Sequence, residues 1–444
     1  MKNSVAALIA ALLLTGVTAA FAAPAKATKQ ARAAPTPLPP QEIILRHGLS
    51  GAPLDALATL ALRFNDQEAK LKTGAGRISL EDVQGISGTE RARLPHLALF
   101  DRDDALSMFD TRPRFRPLHQ VMAVGTERFD ARLFYPQIID AVDDLAGKMQ
   151  ALPLALSLPA LFFNKAAFAK AGLNAAAPPK TWWELQEAAG ALREAGFKCP
   201  LTSSRFAWVH MENVAAQHGE PLVVKNGKLN QLALNNMVNV KHLALLTSWQ
   251  KSLYFIYSGP GREGDERFAS GECAMLTGES SLYARLAKNP EFPLGIAALP
   301  HYDDVYGVKA MNVLPDGAAL WVLAADKRPE QQVIARFISF LLKPEIQRVW
   351  VRATGFLPMS SAAVQALRES GANPDLLDRA ERRLSMNMRD SARTRNGYGK
   401  SRIRTILNEE VEFVWGNQKP AKEALDNAVQ RATAVLAAPP TILR

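Results

Sequence analysis

The chain has 444 residues, of which 48% are hydrophobic and 22% charged, a globular composition with enough apolar material for more than one lobe. Its formal net charge is +10, and four of its cations (Lys2, Lys26, Lys29 and Arg32) lie in the first forty residues, which contain no acidic residue. Because no run of Lys and Arg is interleaved with aromatic residues, the sequence argues against a nucleic-acid-binding protein.

The N-terminus, residues 1–22, is typical of a cleavable export signal. The stretch MKNSVAALIAALLLTGVTAAFAA places Lys2 before an apolar run, and Ala20 and Ala22 supply the small residues of a cleavage site. A transmembrane anchor is the alternative, but the apolar run is shorter than the roughly 20 residues that a span requires. We therefore expect a soluble protein in the periplasm, preceded by an extended Ala/Pro-rich tether at 23–40.

Strand-like and helix-like segments alternate along the rest of the chain. Strands are expected at EIILRHG, HLALFD, ALFFN and GAALWVLAAD, and APLDALATLALRFN has helical periodicity. The best-marked helix follows Pro179, where Thr181 and Glu184 form a capping box. Two further helices, separated at Pro344, follow the last strand. This alternation predicts an α/β fold with mainly parallel sheets.

The two cysteines, Cys199 and Cys273, are the only ones in the chain. Disulfides persist in an oxidising compartment, so export favours a bridge between them, with two buried free thiols as the alternative.

Motifs for catalysis or metal binding are not apparent. The chain has no G-x-S-x-G, H-E-x-x-H or Gly-Lys-Ser/Thr phosphate loop. The pairs His210/Glu212 and His218/Glu220 lack the further ligands of a zinc site, and we interpret them as exposed polar residues of helices and loops. The sequence therefore predicts neither an enzyme nor a bound cofactor or metal.

Three segments occur in an order that resembles a known family. They are LFFNKAAFAKAGLNAAAPPKTWWELQEAAGALREAGFKC, SGECAML and GAALWVLAADKRPEQQVIARFISFLLKPEIQRVWVRATGFLP. Together they resemble the extracellular solute-binding proteins of ABC importers (family 1), throughout Leu154 to Trp415. Within that family the chain is most similar to the members that bind sn-glycerol 3-phosphate, and the first hundred residues of the mature chain match more loosely.

The resemblance implies a periplasmic-binding-protein fold with two α/β lobes, a hinge and a ligand cleft between the lobes. The expected lobe boundaries are 41–152 with 301–356 for the first lobe, and 153–300 with 357–444 for the second. Ligand closes the hinge, and the closed form presents a surface to the permease subunits of the importer. We expect a monomer.

The resemblance also implies positions that contact the ligand. Ser157, Trp208 and Arg404 match the family's pattern and would offer a hydroxyl, a flat ring and a guanidinium fork that can bind phosphate. Gly317 falls in a loop that reaches the cleft, where its backbone N–H could meet the ligand. As a plain turn glycine it would have no such role.

Four further positions depart from the family's pattern. Arg205 replaces a tryptophan, Phe356 a tyrosine and Glu279 a serine, and Asp101 falls where a tyrosine stands. These changes predict a site with more charge and less stacking. Two alternatives are open: Phe356 packs in a core, or Arg205 and Glu279 form a solvated surface or a mutual salt bridge.

The predicted ligand is a small anionic polyol or organophosphate, such as glycerol 3-phosphate or a glycerophosphodiester. Two alternatives use the same fold. One is the binding of a neutral or acidic oligosaccharide, and the other is a periplasmic sensory or scaffold protein without transport.

Overall fold

The computed structural model describes residues 40–71, 74–83, 94–101, 115–125, 129–142, 148–227, 229–305, 313–372, 374–385 and 400–437. The expected export signal and, apart from Pro40, the expected tether lie outside these residues. Within the described ranges, no helix combines the length and the apolar character needed to cross a bilayer.

The secondary structure contains each strand and helix expected from the sequence. The strands are β1 Gln41–His47, β2 Gly76–Asp82, β3 Leu97–Asp101, β4 Leu152–Ser157, β5 Pro159–Asn164, β6 Cys199–Ser203, β7 Val223–Asn226, β8 Leu229–Leu232, β9 Cys273–Glu279, β10 Leu294–Ala298 and β11 Asp316–Val322. The α-helices are α1 Gly51–Glu68, α2 Leu118–Met122, α3 Pro136–Asp140, α4 Lys165–Lys170, α5 Trp182–Glu194, α6 Asn213–Gln217, α7 Met237–Lys251, α8 Glu263–Ala269, α9 Leu282–Leu286, α10 Arg328–Leu341, α11 Pro344–Thr354, α12 Ser361–Glu369, α13 Pro374–Ser385, α14 Lys400–Trp415 and α15 Ala421–Ala437. A 3-10 turn spans Ala131–Leu133, and a π-helix spans Ala207–Glu212.

Two sheets organise the fold, and this confirms the expected α/β class. The first has the strand order β2-β1-β3-β11-β4, the second has the order β10-β5-β9-β6, and β7 and β8 form a separate hairpin. The sheets are mixed rather than mainly parallel: β11 runs antiparallel to β3 and β4, and β5 runs antiparallel to β9 and β10. The physical reason is that the chain passes from the first sheet to the second through β4 and β5 and later returns to the first at β11. The strands β5 and β11 therefore run antiparallel to their neighbours.

Each sheet carries its own hydrophobic cluster. Helix α10 contributes a fully buried face to the first cluster, as its periodicity predicts: Val333, Ile334, Phe337, Ile338 and Leu341. In the second cluster, α5 begins with the expected capping box, in which the Thr181 hydroxyl accepts the N–H of Glu184 at 3.1 Å. The buried Trp182 ring lies in this cluster and packs against the rings of His210, His242 and Tyr302.

The clusters divide the chain differently from the lobe boundaries expected above. Leu154, Leu156 and apolar residues of 357–384 belong to the first cluster, while apolar residues of α14 and α15 belong to the second. We propose on this basis that the first lobe contains the described residues of 40–157 and 316–385, and that the second contains the described residues of 159–305 and 400–437.

Cys199 and Cys273 face each other on the parallel strands β6 and β9, with their Cα atoms 4.5 Å apart, and they form a disulfide. The bridge therefore joins two strands of the second sheet.

Candidate ligand-binding site

The link between the two sheets brings polar side chains together. Leu158 alone separates β4 from β5, and its backbone N–H and C=O are bound by the hydroxyl and N–H of Ser280 at 3.0 and 2.8 Å. On either side of this link, Ser157 pairs with Asp316 across β4 and β11, and Pro159 pairs with Glu279 across β5 and β9. Strand register thus places Ser157, Glu279 and Asp316 at one point between the sheets.

A network of buried ion pairs surrounds this point. The Arg205 guanidinium binds Glu279, and it also donates to Asp316 Oδ2 at 2.6 Å. Arg404 on α14 donates to both oxygens of Glu212, at 2.6 and 2.8 Å, and its third nitrogen donates to Asp316. Asp316, on a strand of the first sheet, therefore holds two arginines, one that follows β6 of the second sheet and one on α14. We call Arg205, Arg404, Glu212, Glu279 and Asp316 the ion-pair cluster.

The local backbone around Arg205 is unusual. Arg205 has a φ of 51°, which a residue with a side chain rarely adopts, and only Phe206 separates it from the π-helix Ala207–Glu212. This conformation places its guanidinium over the Trp208 ring, 4.8 Å from the centroid. The Trp208 ring is buried, and its N–H donates to the Leu314 carbonyl at 3.1 Å. Strained backbone and π-helices concentrate at functional sites, which supports a role in binding.

Two buried polar atoms at this point have no hydrogen-bond partner: Ser157 Oγ and Glu279 Oε2. Ser157 is 1% exposed and Glu279 is 2% exposed. Glu279 Oε2 lies 2.8 Å from Arg262 Nη2, within ion-pair distance but without hydrogen-bond alignment, and the Arg262 side chain is 61% exposed. Because buried polar atoms are nearly always satisfied, both atoms are candidates to bind a ligand.

Asp265 on α8 adds a further carboxyl group, whose pKa is affected by the charge of Glu279. One of its oxygens accepts the Ser204 hydroxyl at 2.6 Å. Burial, together with the negative charge of Glu279, raises the pKa of Asp265 to about 6, although the Ser204 hydrogen bond and the charges of Arg262 and Arg285 act in the opposite direction. This side of the cluster is therefore rich in carboxyl groups.

The turn from Thr354 to Pro358 reaches the same link. Gly355 ends α11 with a φ of 74°. A Cβ at this position would lie 2.4 Å from the carbonyl oxygen of Ser281, which follows β9, so the turn passes close to the end of that strand. Leu357 N–H donates to the Leu156 carbonyl at 2.8 Å. Phe356 is only half-buried, and its ring stacks on Trp350 with centroids 5.8 Å apart.

Gly317 and Asp101 lie beside the cluster. Gly317 has a φ of 141°, and a Cβ would lie 2.1 Å from the Ala155 carbonyl oxygen, so a glycine allows β11 to approach β4. Asp101 ends β3 and pairs with Ala318, but its side chain lies outside the described atoms.

The interpretation of His210, Glu212 and His218 as exposed residues is wrong. Glu212 binds Arg404, and His210 is fully buried, with hydrogen-bond contacts of 2.9 Å to His242 and 2.8 Å to Thr277. His218 lies 2.7 Å from the Val214 carbonyl oxygen. The π-helix packs against the second sheet, so residues that read as a polar helix face point inward. Burial lowers the pKa of His210 to about 3. In the described ranges, no group of three or more His, Cys, Asp or Glu residues could hold a metal ion.

Sequence reasoning missed Glu212 and Asp316. Both bind Arg404, from positions about 190 and 90 residues away. Their neighbours in the sequence could have pointed to them. Glu212 lies four residues after Trp208, and Asp316 directly precedes Gly317, and both of these neighbours were candidate ligand contacts.

Comparisons with known proteins agree on one family. The family model described as bacterial extracellular solute-binding protein matches residues 92–376. The sn-glycerol-3-phosphate-binding periplasmic protein UgpB of Salmonella paratyphi A is 31% identical over 401 residues, covering 88% of this chain and 91% of that protein. The corresponding protein of Pectobacterium atrosepticum is 30% identical, covering 88% of this chain and 90% of its own length.

Solved structures share the fold. UgpB from Mycobacterium tuberculosis in complex with glycerophosphocholine superposes with a TM-score of 0.69 at 20% identity, covering 90% of this chain and 98% of that one. The cyclic alpha-maltosyl-1,6-maltose binding protein from Arthrobacter globiformis gives a TM-score of 0.69 at 21% identity, covering 90% of this chain and all of that one.

Proposed function

Since the chain belongs to the family of bacterial extracellular solute-binding proteins, we propose that it is the periplasmic binding component of an ABC importer for a small hydroxylated phosphate compound. Members of this family bind solutes and do not convert them. The ligand would lie between the two sheets, where its contacts to both lobes favour the closed form. That form would be presented, as a monomer, to the permease subunits. The periplasmic relatives and the N-terminal export signal support this location.

The ligand class rests chiefly on one observation: two largely buried guanidinium groups and a serine hydroxyl without a hydrogen-bond partner meet where the sheets join. Arg205 and Arg404 both donate to Asp316, so a phosphate that took the place of this carboxylate could accept the same hydrogen bonds. Ser157 Oγ would bind a ligand hydroxyl. The relatives named for sn-glycerol 3-phosphate, at 30 and 31% identity, support a compound of the glycerol phosphate class.

A neutral oligosaccharide is the second candidate. The observation that favours it is the pairing of both arginines with carboxylates of the protein itself, which leaves no net positive charge in the ion-pair cluster. Hydroxyl groups could bind between such groups without displacing any of them.

A thermal-shift screen distinguishes these candidates. The panel contains glycerol 3-phosphate, several glycerophosphodiesters, inorganic phosphate, and common di- and trisaccharides. A ligand present at 100 times its dissociation constant stabilises the folded state by about 2.7 kcal/mol, which raises the melting temperature by a few degrees.

Arg404→Lys supplies the test of the site, because lysine keeps the charge next to Glu212 but loses the fork that can hold two oxygens. Arg402→Lys, at an exposed position on the same helix, is the matched control. We expect a shift with a phosphate compound that falls in the first variant and persists in the second. A shift with saccharides alone would support the second candidate, and no shift with any compound would favour a periplasmic sensory or scaffold role.

A further inference from the structure

Glu279 places a negative charge inside the proposed phosphate site. Its carboxylate is 2% exposed, and one oxygen binds the Arg205 guanidinium. Any phosphate that binds Arg205 in place of Asp316 therefore lies beside this carboxylate, because both acids accept from the same guanidinium.

The charges of the ion-pair cluster do not offset that effect. With both arginines and all three carboxylates ionised, the cluster carries a net charge of −1. Arg262 approaches Glu279 from outside, but its side chain is 61% exposed, and solvent screens its charge. Asp265 shows the consequence for a nearby acid, since its pKa is raised partly by the charge of Glu279. A ligand that loses its own solvation in this position meets the same repulsion.

We propose that Glu279 is a specificity-determining residue that disfavours phosphate monoesters, which carry two charges, relative to phosphodiesters, which carry one. This inference rests on the proposed function, because it assumes that a phosphate binds at Arg205 and Arg404. The second ionisation of a phosphate monoester has a pKa of about 6, so near pH 8 the monoester is a dianion. A diester has no second ionisation, and it meets about half of the repulsion from the same carboxylate.

Glu279 Oε2 can also accept a hydrogen bond from the ligand. It is buried, it has no hydrogen-bond donor in the structure, and its ion-pair partner is the exposed Arg262 side chain. A hydroxyl on the second ester group of a diester could donate to it, and so could a hydroxyl of the glycerol that both ligands share. Charge, rather than hydrogen bonding, therefore separates the two classes of ligand.

Calorimetric titration at pH 8 with sn-glycerol 3-phosphate and glycerophosphoglycerol tests the inference. Both compounds carry hydroxyl groups, neither contains a cationic group, and they differ by one negative charge. The wild-type protein should bind the diester about tenfold more tightly, because the monoester brings one additional negative charge next to Glu279. In Glu279→Gln, glycerol 3-phosphate should gain affinity by about a hundredfold and the diester by about tenfold, so that the ratio between the two ligands approaches one.

Glu266→Gln is the matched control, because it removes the same formal charge from a side chain that is 72% exposed and pairs with Arg285. It should leave the ratio unchanged, and melting curves of both variants confirm that they are folded. Tighter binding of the monoester by the wild-type protein, or an unchanged ratio in Glu279→Gln, would overturn the inference alone. If neither compound binds to the wild-type protein or to Glu279→Gln, the proposed phosphate ligand fails together with it.

Discussion

Replacing the buried carboxyl group of Asp265 with an amide should stabilise the protein above neutral pH. In the folded state the pKa of Asp265 is raised from 3.8 to about 6, chiefly because burial disfavours the charged form. The shift of about two pKa units corresponds to about 3 kcal/mol, since each unit is worth 1.36 kcal/mol. Because the folded-state pKa is raised, the free energy of unfolding falls as pH rises from about 4 through 6. Above that range the full loss of stability is present.

Asp265→Asn removes this loss, because the amide cannot ionise and its oxygen can still accept the Ser204 hydroxyl. Urea denaturation should show Asp265→Asn to be more stable than wild type by up to about 3 kcal/mol at pH 8, and by less than about 1 kcal/mol at pH 4. Asp326→Asn, at a side chain that is 86% exposed, is the control and should have little effect at either pH. An equal gain at both pH values, or no gain at pH 8, would refute the reasoning from burial.

Three further predictions concern stability. Replacing both Cys199 and Cys273 with serine should lower the free energy of unfolding by about 4 kcal/mol, because the disulfide closes a loop of 74 residues. Urea denaturation measures this loss. Reductant should destabilise the wild-type protein but not the variant. The folded-state pKa of His210 is lowered to about 3, so its contribution to stability is present above pH 6.5 and is lost as pH falls towards 3. Lowering the pH from 7 to 4.5 should therefore reduce the free energy of unfolding by about 2.5 kcal/mol through His210, and an unchanged pH dependence in His210→Gln would contradict this. Gly317→Ala should lower the free energy of unfolding by about 2 kcal/mol or more, because its Cβ would clash with the Ala155 carbonyl. Gly172 is also at positive φ, but a Cβ there would lie in open space, so Gly172→Ala should lower it by less in the same urea denaturation.

Local features of the fold were predictable from the sequence. The buried face of α10 follows from helical periodicity, and the start of α5 follows from the capping box at Thr181 and Glu184. Both depend on residues that lie within one or two turns of each other. Strand direction is different, because it depends on how often the chain passes between the sheets, and so the mixed sheets could not be predicted from the alternation of strands and helices.

The candidate site was predictable only in part. Resemblance to a family identified Ser157, Trp208 and Arg404, but it could not show that Glu212 and Asp316 neutralise Arg404, since these contacts join distant parts of the chain. The salt bridge between Arg205 and Glu279, one of the alternatives considered, is present in the structure. The sequence does not show that His210 is buried, because its partners His242 and Thr277 lie 32 and 67 residues away along the chain.

The central claim is that a solute binds at the link between the two sheets, and Ser157 tests it most directly. Its hydroxyl is buried without a hydrogen-bond partner, so Ser157→Ala removes a ligand contact without leaving another group of the protein unsatisfied. Calorimetric titration with the compound that gives the largest thermal shift should show binding to the wild-type protein and to the exposed control Ser252→Ala, and binding weakened about tenfold in Ser157→Ala. Equal affinity in all three proteins would contradict this location of the site.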